Sequence, residues 1–238
     1  PVEEVADIEG WAPLPKEFVS TIALCYPCCA QDMSRPLLTC VHVDGEVIEA
    51  SDSYQIIHCT IPAPVPVERF LFPYRAAREL VRYDVKEVAS GGGWMHFRTE
   101  DGTVFSSRVL RDEFPDTSVF LAVEGVEFAF PKAMTEALER ATIFSRDDLD
   151  TQGISLATVK LSDRRLEVTA KNEFGWFEET VRVQYKGPAI QFVVGTQLLI
   201  AILKRLQQCV IGEGRIKFVG DGWVHVTATI AGEEGGEG

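Results

Sequence analysis

Thiols are the residues in this chain whose chemistry would be sought first. The cysteines, five of them in the first quarter of the chain, are Cys25, Cys28, Cys29, Cys40, Cys59 and Cys209. Structural zinc sites usually present two paired sets of Cys or His ligands. This chain has only one Cys-x-x-Cys pair, and Pro27 lies inside it. The spacing therefore favours buried or half-buried free thiols, with a zinc site that includes His58 as the alternative.

Carboxylates form a second candidate cluster, at Asp147, Asp148 and Asp150. Acid–base or nucleophilic catalysis needs an activating partner at a suitable spacing, and none is recognisable near these residues or the cysteines. A solvated loop after a helix is the simpler interpretation of the acidic residues. We therefore predict no enzyme activity, no cofactor and no metal, with a thiol or carboxylate enzyme as the alternative.

A run of cations offers electrostatic chemistry instead. Four of them follow one another at steps of 3, 4 and 4 residues: Arg75, Arg78, Arg82 and Lys86. If Phe72-Pro73 opens a helix that runs to about Lys86, all four cations lie on one helical face. Such a face attracts phosphates. The alternative is a solvated face whose cations pair with Glu79 and Asp84.

Charge and hydropathy restrict the partners of the whole chain. The formal net charge of −13 and the pI near 4.8 mean that any DNA contact must be a local basic patch on an acidic body. The longest uncharged apolar run, Pro188 to Leu203, is shorter than the roughly 20 residues of a membrane span. The acidic N-terminus has no apolar signal core. We therefore predict a cytoplasmic protein without a membrane partner.

Two halves of the chain repeat one plan. Pro15-Lys16 and Pro131-Lys132, which are 116 residues apart, each open an amphipathic stretch that strands follow. The predicted helices run from Pro15 towards Pro27, from Phe72 to Lys86, from Pro131 to Ser145 and from Val194 to Gln208. Predicted hairpins turn at Asp44-Gly45, Asp101-Gly102, Asp163-Arg164 and Asp221-Gly222.

This order predicts an α+β fold, with helices covering antiparallel sheets in each of two domains. The predicted parts are a first domain at 1–113, a connector at 114–124, a second domain at 125–231 and a disordered acidic glycine tail at 232–238. The segment from Arg108 to Phe120 thus joins the halves.

The ordered set of motifs resembles the bacterial DNA polymerase III β subunit, the sliding clamp. Three of that family's motifs have similar sequences here: a strand end at Ala50-Ser-Asp-Ser-Tyr54, a helix start at Phe72-Pro73 and the end of the middle domain at Phe114-Pro-Asp116. Leu166–Asn172 and Val181–Gly187 resemble parts of that family's last domain. The similarity covers about residues 11–230, and it implies two clamp-type domains.

Three departures separate this chain from that family. The family has three domains per chain, an apolar C-terminal tail and a different sequence where this chain has Asp52–Ile56. The chain is either a natural two-domain clamp or a piece that lacks a first domain, and Pro1 favours the former. Because rings of this family hold six domains, the resemblance implies a homotrimeric ring.

The resemblance also implies a function. A clamp encircles duplex DNA without reading sequence and tethers the polymerase. A clamp-like decoy or regulator that forms no closed ring is the alternative. The implied DNA contacts are Arg75, Arg78, Arg82, Lys86, Lys132, Arg140, Lys204 and Arg205. DNA polymerase and clamp loader would bind through short peptides in a pocket lined by Ser53, Tyr54, Gln55, Ile56, Pro115, Val119 and Phe120. Plain core packing is the alternative for Ile56 and Phe120.

Overall fold

The structure is a computed structural model that describes residues 8–144 and 155–231. Its contacts divide the chain into two compact units. Unit 1 comprises Pro1–Val119 with Asp221–Val224, and unit 2 comprises Phe120–Gly220 with His225–Gly238. No helix within the described residues is long and apolar enough to cross a membrane.

The described residues of unit 1 form two α-helices of seven residues or more and two antiparallel sheets. The helices are α1 (Phe18–Cys25) and α2 (Tyr74–Leu80). The strands are β1 (Ala12–Pro13), β2 (Cys40–Asp44), β3 (Val47–Ser51), β4 (Gln55–Thr60), β5 (Phe70–Pro73), β6 (Val85–Gly91), β7 (Trp94–Thr99) and β8 (Val104–Arg108). They are arranged in the orders β1-β6-β7-β8 and β5-β2-β3-β4.

Aromatic side chains from separate elements build the core of unit 1. Phe18 of α1, Phe72 of β5 and Phe97 of β7 are each fully buried. The Phe97 ring centroid lies 5.7 Å from that of Phe18 and 5.4 Å from that of Phe72. Burial of such side chains contributes about 1.5–3 kcal/mol each. This core holds α1 and α2 against the sheets.

Unit 2 repeats the element order after a short helix, α3 (Ser118–Leu121), that begins in the last residues of unit 1. Its other helices are α4 (Ala133–Ala141) and α5 (Thr196–Leu203). The strands that follow α3 are β9 (Gly125–Ala129), β10 (Leu156–Ser162), β11 (Arg165–Asn172), β12 (Gly175–Arg182), β13 (Ile190–Gly195), β14 (Gln208–Gly212), β15 (Arg215–Gly220), β16 (Trp223–Ala228) and β17 (Ile230–Ala231). One sheet has the order β12-β11-β10-β13-β17, and another contains β15-β14-β9.

The four predicted helices exist, but both bounds of two of them were wrong: Phe72, Lys86, Val194 and Gln208 lie in strands. The helix predicted from Phe72 to Lys86 is helical only in α2. Phe72 lies in β5, where it pairs with Val41. Lys86 lies in β6, exposed at an irregularity in the pairing with β7 between Val85 and Glu87. The helix predicted from Val194 starts only after β13, which pairs with β10 along its length. Pairing with distant strands thus overrides the local helical pattern.

Candidate functional site

The predicted four-cation face does not exist as one helical surface. Arg75 and Arg78 lie on α2, whereas Arg82 follows the helix and Lys86 lies on β6. Arg82 Nη1 lies 3.1 Å from Glu79 Oε2, and Lys86 Nζ lies 2.6 Å from Asp84 Oδ1. The pairing with Glu79 and Asp84 that was the alternative interpretation is therefore present.

Arg75 and Arg78 remain available on the surface of α2. Both side chains are exposed, and within residues 8–144 and 155–231 neither forms an ion pair. The Arg75 guanidinium lies 5.9 Å from the ring centroid of its neighbour Tyr74. Arg78 lies in the last turn, where a cation also interacts favourably with the helix dipole. These two residues can reach an anionic ligand without first breaking an ion pair.

Two predicted cations of unit 2 are already partnered. Arg140 of α4 donates two hydrogen bonds to the carboxylate of Glu179, at 2.8 and 2.7 Å. These bonds raise the pKa of Arg140. Lys204, at the end of α5, lies 3.3 Å from Glu139 Oε1. A phosphate would have to compete with these carboxylates.

The remaining cations of the predicted set lie at helix ends of unit 2. Lys132 immediately precedes α4, and Arg205 follows α5 after Lys204. Both side chains are exposed. Neither forms an ion pair with the parts of the chain that the structure describes. Their positions leave them open to solvent.

The predicted partner residues of β4 lie around a tight turn. The Asp52 carboxylate accepts the backbone N–H groups of Tyr54 and Gln55, both at 2.9 Å, and the Gln55 side-chain amide at 2.8 Å. Ser53 adopts φ +82° and its hydroxyl accepts a 2.6 Å hydrogen bond from Arg35. Tyr54 is exposed, whereas Gln55 is buried and Ile56 is half-buried. The turn thus presents Ser53 and Tyr54 rather than the whole predicted set.

The connector presents the other predicted partner residues. Pro115 is exposed, and α3 leaves Val119 65% and Phe120 48% exposed. Core packing is therefore the wrong interpretation of Phe120. The Arg215 guanidinium lies 5.6 Å from the Phe120 ring centroid, a cation–π distance. Neighbouring exposed apolar side chains such as these two on α3 are typical of a contact surface.

A buried carboxylate, Glu49, was missed by the sequence analysis. Glu49 Oε1 accepts a 2.8 Å hydrogen bond from His42 Nδ1, and Oε2 accepts bonds from His58 Nδ1 at 3.1 Å and Thr117 Oγ1 at 2.8 Å. Burial raises the pKa of Glu49, but the hydrogen bonds from the two histidines and Thr117 outweigh it and lower the pKa to about 2. The two turn residues between β2 and β3 are Gly45 and Glu46, which places His42 opposite Glu49; the predicted Asp44-Gly45 turn would have placed His42 opposite Val47 instead.

The cysteines are buried thiols, as the spacing predicted. Cys25 Sγ lies 3.6 Å from Cys59 Sγ, and burial raises the pKa of Cys25 and brings that of Cys209 to about 12. No group of His, Cys, Asp or Glu suited to a metal ion occurs within the described residues. The acidic cluster of Asp147, Asp148 and Asp150 lies outside the described residues.

Comparisons with known proteins assign the fold. A scan of protein-family models and a comparison with curated sequences gave no match. The Pseudomonas aeruginosa DNA polymerase III subunit beta matches with a TM-score of 0.79 and 19% identity, over 97% of this chain and 70% of that chain. The Bacillus subtilis DNA polymerase sliding clamp matches with a TM-score of 0.78 and 16% identity, over 95% and 66%.

A Pseudomonas aeruginosa DnaN sliding clamp bound to griselimycin matches with a TM-score of 0.78 and 18% identity, over 94% of this chain and 68% of that chain. The chain therefore has the α+β fold of bacterial DNA polymerase III β sliding clamps, which confirms the predicted fold.

Proposed function

We propose that this protein is a DNA sliding clamp, a ring that encircles duplex DNA and tethers a DNA polymerase. One observation carries the proposal: the chain matches structures of DNA polymerase sliding clamps over as much as 97% of its length. A clamp holds DNA by topology, so it requires no catalytic group. It needs an interface that closes the ring, cations for the phosphates and a surface for the polymerase.

Two exposed sheet edges support assembly into a ring. Among the described strands, β8 is the last strand of its sheet in unit 1, and β12 is the last strand of its sheet in unit 2. An edge strand offers unpaired backbone groups to another chain. Val104 on β8 and Trp176 on β12 are 42% and 67% exposed. We assign these edges to head-to-tail pairing between copies, with three chains in the ring.

The mass in solution tests the ring. Light scattering is expected to give the mass of three chains, and Trp176→Glu is expected to give a single chain because it places a charge in the interface. Val219→Glu is the matched control, since Val219 is also exposed in unit 2. A wild-type protein that stays monomeric would contradict the proposal.

Retention on DNA tests topology directly. A closed ring placed on DNA is retained on a circular plasmid and slides off after the plasmid is cut. Gel filtration of the complexes, with labelled protein, measures the retained fraction. Equal retention on circular and linear DNA would show ordinary binding instead of encirclement.

The DNA contacts proposed first are Arg75 and Arg78, because both are exposed and without an ion pair in the described residues. Lys132 and Arg205 are the second pair of proposed DNA contacts, because they too are exposed and without an ion pair in the described residues. Arg82, Lys86, Arg140 and Lys204 contribute less because a carboxylate already pairs with each. Each phosphate contact adds about −0.9 to the slope of log affinity against log salt concentration.

The proposed contact for polymerase and clamp-loader peptides includes Val119 and Phe120. Griselimycin is a usable probe because a structurally similar clamp has been solved bound to it. Calorimetry is expected to show that griselimycin binds, and that Phe120→Ala weakens binding at least tenfold while Val219→Ala does not. An unchanged affinity of the Phe120 variant would remove Phe120 from this surface.

A clamp-like regulator that forms no closed ring is the second candidate. The ion pairs of Arg140 and Lys204 favour it, because they leave unit 2 with fewer cations for DNA. This candidate predicts a monomer that binds the polymerase but is not retained on circular DNA. The mass and plasmid measurements therefore separate the two functions.

A further inference from the structure

We propose that Glu49 is a positioning residue: its hydrogen bonds fix the start of the connector and thereby orient α3. Glu49 lies on β3 with 8% of its surface exposed, and Thr117 lies 68 residues further along the chain. The proposal rests on the proposed function only where it treats the apolar side chains of α3 as a partner surface. The anchoring itself depends only on contacts within unit 1.

The hydrogen bonds require the ionised form of Glu49. An ionised carboxylate only accepts hydrogen bonds, so both His42 and His58 must carry a proton on Nδ1, and the Thr117 hydroxyl must donate. His42 and His58 face Glu49 from the two neighbouring strands, directly across from it in the register. The carboxylate is thus held by both neighbouring strands, and Thr117 of the connector occupies one of its remaining acceptor sites.

Two anchors hold the connector segment. Phe114 stacks on the His42 ring, with centroids 5.0 Å apart and planes 17° apart, and only 7% of its surface is exposed. Thr117 is 8% exposed and bonds to Glu49. His42 therefore belongs to both anchors, since it stacks on Phe114 and donates to Glu49. Pro115, between the anchors, is exposed.

The anchors determine where α3 begins. Asp116 accepts a 2.9 Å hydrogen bond from the backbone N–H of Ser118, the first residue of α3. A helix of four residues is far too short to be stable alone, so its position depends on what holds its ends. Because Thr117 immediately precedes α3, its bond to Glu49 holds the start of the helix, Ser118 and Val119, against unit 1.

Hydrogen exchange in the segment 114–121 tests the proposal without any partner. Thr117→Val removes the hydroxyl donor but keeps the size of the side chain, and Thr117→Ser keeps the hydroxyl. We expect at least tenfold faster exchange of this segment in Thr117→Val and in Glu49→Gln, and the wild-type rate in Thr117→Ser. In Thr117→Val, which leaves the bonds of His42 and His58 in place, the strands β2 and β4 are expected to keep their wild-type rates.

Two results would overturn the proposal: unchanged exchange at 114–121 in Thr117→Val, or an equal acceleration there and in β2 and β4. The second result would show a general loss of stability instead of a local release. A failure of the proposed function is distinguishable, because absent griselimycin binding or a monomeric mass leaves the exchange result intact.

Discussion

Each unit pairs two of its predicted DNA-contacting cations with carboxylates, but within the described residues the units differ in where the unpaired cations lie: Arg75 and Arg78 share one helix, whereas Lys132 and Arg205 lie at the ends of two different helices. Unit 1 buries Glu49 among three donors and leaves Arg75 and Arg78 exposed without an ion pair in the described residues. Unit 2 pairs Arg140 with Glu179 on its surface. A cation that already has a carboxylate gains little from a phosphate, because it exchanges one anion for another. The unpaired cations Arg75 and Arg78 on α2 are therefore expected to attract DNA more strongly than the paired cations Arg140 and Lys204.

The largest expected effect comes from reversing the charges on α2. Arg75→Glu combined with Arg78→Glu is expected to reduce affinity for duplex DNA at least tenfold at low salt, because two phosphate attractions become repulsions. Fluorescence anisotropy over a range of salt concentrations measures the affinity and its salt slope. Thermal unfolding checks that the variant remains folded.

The matched comparison is the double variant Arg140→Glu with Lys204→Glu, which reverses two charges in unit 2. It is expected to cause a smaller loss, and Arg165→Glu, an exposed cation in the β10–β11 hairpin, is expected to cause the least. Equal losses of DNA affinity in the two double variants would contradict the expected difference between the unpaired cations on α2 and the paired cations of unit 2.

Removal of the buried Glu49 carboxylate is expected to lower the stability of the protein rather than its affinity for DNA. Glu49→Ala leaves the buried Thr117 hydroxyl and two histidine N–H groups without their acceptor, so it is expected to cost about 2 kcal/mol. Urea unfolding measures this change. A variant as stable as the wild type would show that the cluster contributes no net stabilisation.

Acid is expected to remove the contribution that the Glu49 carboxylate makes to stability. The pKa of Glu49 is lowered from 4.5 to about 2 in the folded protein, so its contribution is fully present above about pH 4.5 and is lost as the pH falls towards 2. His42, His58 and Asp116 are the other titratable groups that face it. The stability difference between wild type and Glu49→Gln, measured at pH 6 and pH 3, is expected to shrink at pH 3.

The smallest expected effect is a gain in affinity for duplex DNA. Glu179→Gln removes the charge that holds Arg140, so duplex DNA affinity is expected to rise about twofold, with a slightly steeper salt slope. Anisotropy against the Glu178→Gln control, an exposed neighbour on β12, isolates the effect. No gain would mean that Arg140 does not face DNA.

The hairpins were predictable because their turns are local. The hairpin predicted at Asp44-Gly45 exists between β2 and β3, although its turn residues are Gly45 and Glu46, with Gly45 at φ +56°. Asp101-Gly102 lies in the turn between β7 and β8, with Gly102 at φ +87°. The cation spacing in Arg75–Lys86 was equally local but misleading. Its helical period ends at Leu80, because the strand that follows gains more from pairing with β7 than from another helical turn.

The sequence by itself determined the α+β plan, its repetition in two halves and the buried character of the cysteines, since these follow from hydrophobic period, turn residues and composition. Local pairs such as Arg82 with Glu79 follow from the sequence spacing, but only the tertiary structure decided the partners that lie far apart in the chain. Glu49 meets Thr117 across 68 residues, and Arg140 meets Glu179 across 39. Such contacts depend on strand register and helix packing at a distance, which no local pattern encodes.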